Sequence, residues 1–147
     1  MKQHKHLGTY GIIIKDNKLL LISKVSGPYD GKLDLPGGTI EFGETPEETL
    51  KRELKEEVGI NIKEYNLLDS DSVMIDWMYK GENIRTHHIG IFYKITNYEG
   101  KIKSNIQIDS INDDSMGAEF YDINKLKKED LSQIAILELN KLGYSIK

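Results

Sequence analysis

The segment that most constrains this chain runs from Gly38 to Ile60 and reads GTIEFGETPEETLKRELKEEVGI. Glu53, Glu56 and Glu57 in it stand at i, i+3 and i+4, so a helix of ~3.6 residues per turn would carry the three carboxylates on one face. Like charges at this spacing repel one another, and a bound divalent cation would offset that repulsion. Oxygen ligands without a nearby histidine or cysteine favour a hard ion, Mg2+ or Mn2+, over zinc.

Local signals set the limits of the glutamate-rich helix. Thr45 is suited to be its N-cap, Pro46 falls at the first helical position, and Thr45 with Glu48 fits the capping box S/T-x-x-E. Gly59 fits the glycine that ends many helices in a left-handed conformation. The pattern therefore predicts a helix over 46–58, with three apolar side chains spaced to face the core: Leu50, Leu54 and Val58.

The same segment resembles the Nudix box, G-x5-E-x7-R-E-U-x-E-E-x-G-U, where U is a bulky aliphatic residue. Every fixed position is filled, by Gly38, Glu44, Arg52, Glu53, Leu54, Glu56, Glu57, Gly59 and Ile60. The preceding Leu35-Pro36-Gly37 is similar to the usual lead-in of that family. A complete match at fixed spacing is far more specific than a lone glycine-rich motif, so the chain resembles the MutT-like Nudix hydrolases.

The resemblance implies a role for each charged residue of the box. Glu53, Glu56 and Glu57 would be metal ligands. The general base would be one glutamate of this cluster, with Glu53 and Glu56 favoured, or one on a later loop. Arg52 and Glu44 would hold the catalytic loop and its glutamates in place. Without the box, the glutamates are better interpreted as a solvated helix face, and the arginine and Glu44 as an ordinary surface ion pair.

Three residues at or before the start of the box have candidate roles in binding. Gly37 and Gly38 permit backbone torsions and close approaches that other residues do not. By analogy with the family, Gly37 would offer its carbonyl to the metal, and Gly38 would lie against the substrate. Lys24 ends a strand that leads toward the site, where the family often has a basic residue touching phosphate. A solvated lysine at the end of a strand is an equally good interpretation of Lys24.

Evidence outside the box is weaker. Asp113, Asp114 and Glu119 are candidates for a later catalytic acid, although a solvated carboxylate is the simpler interpretation of each. His87 and His88 are neighbours in a predicted strand, so they point to opposite faces, and packing or exposure is favoured over a catalytic role. Three aromatic residues could stack on a base, although core packing is the default interpretation: Phe42, Trp77 and Tyr79.

Composition limits the class of protein. A chain of 147 residues predicts one domain over 1–147. The net charge of −4 disfavours long nucleic acids but not a nucleotide, because a bound metal supplies positive charge locally. The sequence has no cysteine, no N-terminal segment that resembles a signal peptide and no apolar run long enough to span a membrane. These features predict a cytoplasmic protein that does not bind a membrane. The resemblance also allows a homodimer.

Apolar runs and turn residues predict an α/β fold. The resemblance implies an α/β/α sandwich with a mixed β-sheet between helices, and the sequence pattern is compatible with it. A hairpin is predicted around Asp16-Asn17 and another turn over 80–83. The predicted strands cover 10–14, 18–25, 33–35, 39–42 and 119–123, and the segments 61–72, 73–79 and 85–95 are predicted to form two or three more. A polar loop is predicted over 98–114 and a closing helix over 124–141.

The resemblance implies a metal-dependent hydrolase that cleaves a diphosphate linkage in a nucleoside diphosphate derivative. The substrate itself does not follow from the sequence. An alternative is a nucleotide-sensing module that keeps the fold without the reaction, although such proteins usually lose box glutamates that this chain retains. A relative of the isoprenoid diphosphate isomerases is disfavoured, because that group normally has a catalytic cysteine.

Overall fold

The protein is described by a computed structural model over residues 1–103 and 115–147, with the side chains of 115 and 116 left aside. These described residues form eight strands and two α-helices. The strands are β1 Lys2–Ile12, β2 Ile14–Lys15, β3 Lys18–Lys24, β4 Leu33–Asp34, β5 Gly37–Thr39, β6 Asn61–Tyr79, β7 Glu82–Glu99 and β8 Ser115–Asp122. The helices are α1 Pro46–Glu53 and α2 Gln133–Lys141.

The strands form two connected sheets. One sheet has the order β5-β1-β7-β6, and in the other β3 pairs with β2, β4 and β8. The β1–β7 pair is parallel and the remaining pairs are antiparallel, so the sheet structure is mixed. The parallel pairing matters for the site, because it sets His6 of β1 opposite His88 of β7.

Helices cover both faces of the sheets. Along β3, Leu19 and Leu21 join the core cluster that holds the α2 residues Ile134, Ala135 and Leu139. The alternate residues Leu20 and Ile22 join the cluster that holds Leu50, Leu54 and Val58. Because successive strand residues face opposite sides, α1 and α2 lie on opposite faces. The predicted α/β/α sandwich is confirmed.

The glutamate-rich helix begins and ends where its local signals predicted. Thr45 caps it through a complete capping box with Glu48. Gly59 ends it with φ 86°. The interior differs from a regular α-helix, because residues Leu54–Val58 form a π-helical turn whose closing bond runs from Gly59 N to Leu54 O at 3.0 Å. A π turn holds one more residue than an α turn, and such turns are frequent at functional sites.

The predicted closing helix over 124–141 was wrong at its start. Two short 3-10 turns, Ile123–Lys125 and Lys128–Asp130, precede α2, which begins only at Gln133. The main chain is diverted because Ser132 N donates to Leu33 O at 2.8 Å. The Ser132 hydroxyl then caps α2 by accepting from Ala135 N at 3.2 Å. These contacts are tertiary, so helical periodicity alone could not predict them.

Several strand limits also differ from prediction. The strand predicted over 39–42 lies instead at Gly37–Thr39. The segments 61–72 and 73–79 form the single strand β6, which agrees with the two-strand alternative for this region. The first strand begins at Lys2 rather than at residue 10, and β7 extends to Glu99. Both predicted turns occur, with positive φ at Asp16, Asn17, Lys80 and Gly81. No helix in the described parts of the chain is long and apolar enough to cross a membrane.

Candidate active site

The three box glutamates line one cavity of about 620 Å³, a size typical of small-molecule sites. Glu53 comes from α1, and Glu56 and Glu57 come from the π-helical turn. Gly37 and Gly38 of β5 form another part of the wall. The structure therefore places the glutamates that were predicted as metal ligands in one cavity, together with Gly37 of the lead-in and Gly38 of the box.

Arg52 organises the carboxylates from behind the cavity wall. Its Nε donates to Glu44 Oε2 at 2.7 Å and its Nη2 donates to Glu44 Oε1 at 2.9 Å, which makes a two-bond fork. Its Nη1 donates to Glu53 Oε1 at 2.8 Å and to Glu56 Oε2 at 3.4 Å. A further bond from Nη2 to Thr39 O, 3.1 Å long, ties the helix to the end of β5. Arg52 thus connects Glu44, Glu53, Glu56 and the end of β5 through hydrogen bonds.

The Arg52 network changes the proton affinity of its members. The hydrogen bonds from Arg52 lower the pKa of Glu44 to about 2, helped by the backbone N–H of Glu41. The hydrogen bond to Glu44 raises the pKa of Arg52. The pair is therefore fully ionised at neutral pH, and Arg52 remains a fixed positive charge among the glutamates.

The Glu53 carboxylate is largely buried and closely packed against Gly38. Burial raises its pKa and the Glu56 charge adds to that rise, while Arg52 and Lys24 act in the opposite direction. A Cβ atom built on Gly38 would lie 2.7 Å from the Glu53 carboxyl carbon. Any side chain at position 38 would therefore displace the Glu53 carboxylate, which accounts for glycine in the first position of the box.

Glu57 is fixed by the main chain of the lead-in. Gly37 N donates to Glu57 Oε1 at 2.8 Å, and Glu57 is 7% exposed. Gly37 has φ 143°, and a Cβ there would come within 2.7 Å of Tyr10 Cα. Both facts require glycine at position 37. The Glu56 side chain, by contrast, is 60% exposed, so the π-helical turn separates two glutamates that are adjacent in sequence.

The donor set suits a hard divalent ion, because only carboxylate and main-chain oxygens are offered by the box. The three glutamates share the cavity but do not form a preassembled cluster. In the described part of the chain, no group of three or more His, Cys, Asp or Glu side chains is arranged to hold a metal ion. Glu53 and Glu57 are engaged instead with Arg52 and with Gly37 N. A bound metal would compete with these contacts.

Two lysines bring positive charge to the same cavity. Lys24, predicted from its position at the end of β3, lines the cavity and acts electrostatically on Glu53. Lys103 was missed by sequence analysis. Its backbone N donates to Val58 O at 2.8 Å, and its Nζ lies 3.4 Å from Glu56 O. No local motif marks Lys103, because it reaches the site only through pairing with the end of the glutamate helix.

A histidine and two tyrosines form a buried network in the cavity wall, which sequence analysis also missed. His88 is 1% exposed. Its Nε2 lies 2.6 Å from the Tyr10 hydroxyl and its Nδ1 lies 2.8 Å from the Tyr29 hydroxyl. The His6 ring stacks on it with centroids 4.6 Å apart. Burial, with smaller contributions from His6 and Lys24, lowers the pKa of His88 to about 3, so its ring is neutral.

The remaining candidates have separate outcomes. Asp113 and Asp114 lie outside the described residues. Glu119 is exposed on β8 and does not line the cavity. For the two adjacent histidines, packing or exposure was favoured over a catalytic role, and the structure has His88 buried and His87 half-buried. None of the three aromatic residues considered for base stacking lines the cavity. Core packing was the wrong prediction for Phe42 and Tyr79, because both are exposed. Trp77 packs at the edge of the core.

Comparison with known proteins identifies the family. The model of the NUDIX domain matches residues 4–138. The chain belongs to the NUDIX domain family. An ADP-ribose pyrophosphatase of Methanocaldococcus jannaschii is 38% identical over 125 residues, which are 85% of this chain and 66% of the relative. An 8-oxo-dGTP diphosphatase of Escherichia coli is 43% identical over 61 residues, 40% of this chain and 47% of the relative. This NUDIX chain thus spans from about half to just under two-thirds of those relatives.

Solved structures support the same fold. A MutT NUDIX hydrolase from Burkholderia pseudomallei superposes with a TM-score of 0.70 at 22% identity, covering 95% of this chain and 98% of that one. A MutT protein from Bacillus halodurans superposes with a TM-score of 0.69 at 23% identity, covering 97% and 84%. At this identity the likeness establishes the fold of the NUDIX domain and leaves its substrate to other evidence.

Proposed function

We propose that this NUDIX chain is a divalent-metal-dependent hydrolase that cleaves a diphosphate linkage in a nucleoside diphosphate derivative. The observation that supports the proposal is that the box places its three candidate metal ligands in one cavity. Glu53, Glu56 and Glu57 line it together with Gly37 and Gly38. Two of the relatives are named for reactions of this class, an ADP-ribose pyrophosphatase and an 8-oxo-dGTP diphosphatase.

Glu53, Glu56, Glu57 and the Gly37 carbonyl would hold Mg2+ or Mn2+. When bound, such an ion neutralises charge on a diphosphate and favours ionisation of water. Glu53 and Glu56 are the candidate general bases, and each would accept a proton from the attacking water. The reaction breaks one phosphoanhydride bond, and the oxygen of water is added to one of the two phosphorus atoms.

The basic residues of the cavity would orient the diphosphate. Lys24 and Lys103 line the cavity with the glutamates, and an ammonium group binds a phosphate oxygen as a point charge. Arg52 stays behind the wall, where its bonds to Glu44 and Glu53 fix the helix. It is therefore a positioning residue in this proposal, and contact with substrate falls to the two lysines and to the backbone at Gly38.

The test is a substrate panel with and without metal. ADP-ribose, 8-oxo-dGTP, the ordinary nucleoside triphosphates, nucleotide sugars and dinucleoside polyphosphates would be incubated with Mg2+ or Mn2+. The products would be separated from the substrates by ion-exchange chromatography and quantified. We expect turnover of at least one compound, its loss in EDTA, and its return when Mg2+ or Mn2+ is restored. Undiminished hydrolysis in chelator would reject metal assistance.

The alternative function is a nucleotide-sensing module without catalysis. The specific observation that favours it is that Glu53 and Glu57 are bonded to Arg52 and Gly37 N instead of meeting in a metal cluster. Absence of turnover across the panel, together with nucleotide binding measured by calorimetry, would support the sensor. A cytoplasmic location, a single domain over 1–147 and a homodimer stay predictions.

A further inference from the structure

The outer edge of β6 has no partner strand among the described residues, because β6 ends the sheet order β5-β1-β7-β6. None of the described main-chain hydrogen bonds outside the strands and helices involves β6. The free N–H and C=O groups of such an edge can pair with another strand. Natural proteins usually prevent this with bulges, prolines or lysines on the edge.

Protection of this kind is confined to the first half of β6. Its pairing with β7 shifts register three times between Ile62 and Asp69, which marks bulges or irregularities there. From Ser70 to Tyr79 the register is unbroken, and this half contains no proline and no lysine. The second half of β6 is therefore open to pairing with a further strand.

One side-chain contact shows which residues present their backbone to the outer edge. Ser72 N donates to Asp71 Oδ1 at 2.8 Å. The neighbouring strand β7 occupies the other side of β6, so this N–H points to the outer edge. Successive residues of a strand present their N–H and C=O groups to alternate sides. Met74, Asp76 and Met78 therefore present theirs outward as well.

The side chains of this segment offer apolar contact on both faces of the sheet. Met74 and Met78 lie on one face, where they are 55% and 64% exposed. Methionine is flexible and polarisable, so it adapts well to a contact surface. Val73 and Trp77 lie on the opposite face, partly buried against the core. A strand added to the edge would cover the exposed parts of all four side chains.

Charge selects the register in which two copies of this edge fit. An antiparallel pair centred on Asp76 would place the two Asp76 carboxylates directly opposite each other, which is destabilising. A pair centred on Ile75, the midpoint of 72–78, places Asp76 opposite Met74 of the second copy instead. Ile75 then lies opposite Ile75 of the second copy, and the methionines of the two copies become diagonal neighbours.

We propose that the edge 72–78 of β6 pairs antiparallel with the same edge of a second copy, about a twofold axis at Ile75. Two identical edges related by a twofold axis are self-complementary, so no other partner is required. At ~3.3 Å per residue the segment spans ~23 Å, which covers roughly 400–500 Å² on each copy, against ~800 Å² for a standard interface. The dimer is therefore weak and forms as concentration rises. This interface does not depend on the proposed hydrolysis.

Sedimentation velocity over micromolar to millimolar concentrations tests the dimer. We expect the wild type to shift from monomer toward dimer, and Met78→Lys, which puts a charge on the edge, to weaken dimerisation by ~10-fold or more. Leu67→Lys is the matched control, because Leu67 is 61% exposed on the irregular half of the same strand. It should dimerise as the wild type does. A wild type that stays monomeric, or equal losses in both variants, would overturn the proposal.

Hydrogen exchange followed by NMR locates the interface on the edge. The amide protons of Met74, Asp76 and Met78 should exchange more slowly at high concentration than at low concentration. Those of Ile75 and Trp77 point toward β7 and should not change. A protein that dimerises without slower exchange at the three outward amides would have its interface elsewhere, which would overturn the proposal.

Engineered cysteines test the register, since the chain contains no cysteine of its own. A mixture of Met74→Cys and Asp76→Cys chains should form the mixed disulfide faster than either chain forms a disulfide with itself. The proposed register places these two positions opposite each other, with Cα atoms ~5.5 Å apart, a separation that a disulfide can bridge. Equal rates for the mixed and the self disulfides would overturn the proposed pairing.

Discussion

Arg52 donates two parallel hydrogen bonds to Glu44, from Nε to Oε2 at 2.7 Å and from Nη2 to Oε1 at 2.9 Å. The third guanidinium nitrogen, Nη1, reaches Glu53 at 2.8 Å. One planar group therefore joins the loop before α1 to a proposed metal ligand. A lysine could not reproduce this arrangement, because its single ammonium lacks the planar fork.

Replacing Arg52 should damage activity more than folding. We expect Arg52→Gln to lower kcat/KM by about 10- to 100-fold, the usual effect of losing a group that orients metal ligands. Arg85 offers a matched control, since it forms the same kind of fork with Asp76, at 2.7 and 2.9 Å, on the exposed β6–β7 ladder. Arg85→Gln should leave kcat/KM unchanged. Similar losses in both variants would contradict the positioning role.

The Glu44–Arg52 pair should also change how the free energy of unfolding depends on pH in acid. The folded pKa of Glu44, about 2, lies below its ordinary value of 4.5, so the unfolded chain binds more protons between these values. The contribution of the pair is present above pH 4.5 and is lost as pH falls toward 2. Urea unfolding of Glu44→Gln should show a flatter decline in this window, and so should Arg52→Gln. A wild-type slope in both variants would contradict the assignment.

Removing single box carboxylates tests the metal site. Glu56→Gln should lower turnover by orders of magnitude with little change in stability, because the side chain is largely exposed. Glu57→Gln should also lower turnover, while its amide oxygen can still accept from Gly37 N. Glu47→Gln, at an exposed position of α1 outside the cavity, is the control. Mn2+ binding followed by electron paramagnetic resonance should weaken only in the first two. Full activity of either variant would exclude that residue as a ligand.

Sequence reasoning worked where the information is local. Thr45, Glu48 and Gly59 act on their own backbone, and the helix begins and ends where they predict. The box likewise identified carboxylates that the structure places in one cavity. The π-helical turn escaped prediction because a 3.6-residue pattern accommodates it without any change in the apolar stripe.

Long-range contacts account for what sequence reasoning missed. Tyr10 and His88 lie 78 positions apart and meet only because β1 and β7 pair in parallel. The late start of α2 depends on the bond from Ser132 to Leu33 on another strand. No residue type or spacing within one segment predicts a contact of this kind. The hydrogen bonds of His88 could therefore be recognised only once the strand order was known.

Glu138 predicts a second pH dependence, opposite in sign to that of Glu44. Its Oε2 and Asp69 Oδ1 are buried without a hydrogen-bond partner among the described residues. Lys141 Nζ lies 3.3 Å from Glu138 Oε2, but it lies closer to the carboxylates of Asp69 and Asp71. Burial and the neighbouring Asp69 raise the pKa of Glu138 to about 7. A proton held between Glu138 and Asp69 would satisfy both oxygens.

Because the folded state then binds more protons than the unfolded state between pH 4.5 and 7, stability should decline as pH rises through that window. Glu138→Gln keeps a donor toward Asp69 and cannot ionise. We expect this variant to match the wild type near pH 5 and to melt several degrees higher at pH 8, measured by circular dichroism. Asp71→Asn, which leaves the Asp69 and Glu138 contacts of Lys141 in place, should keep the wild-type slope. Parallel curves for wild type and Glu138→Gln would show that Glu138 is ionised in the folded protein.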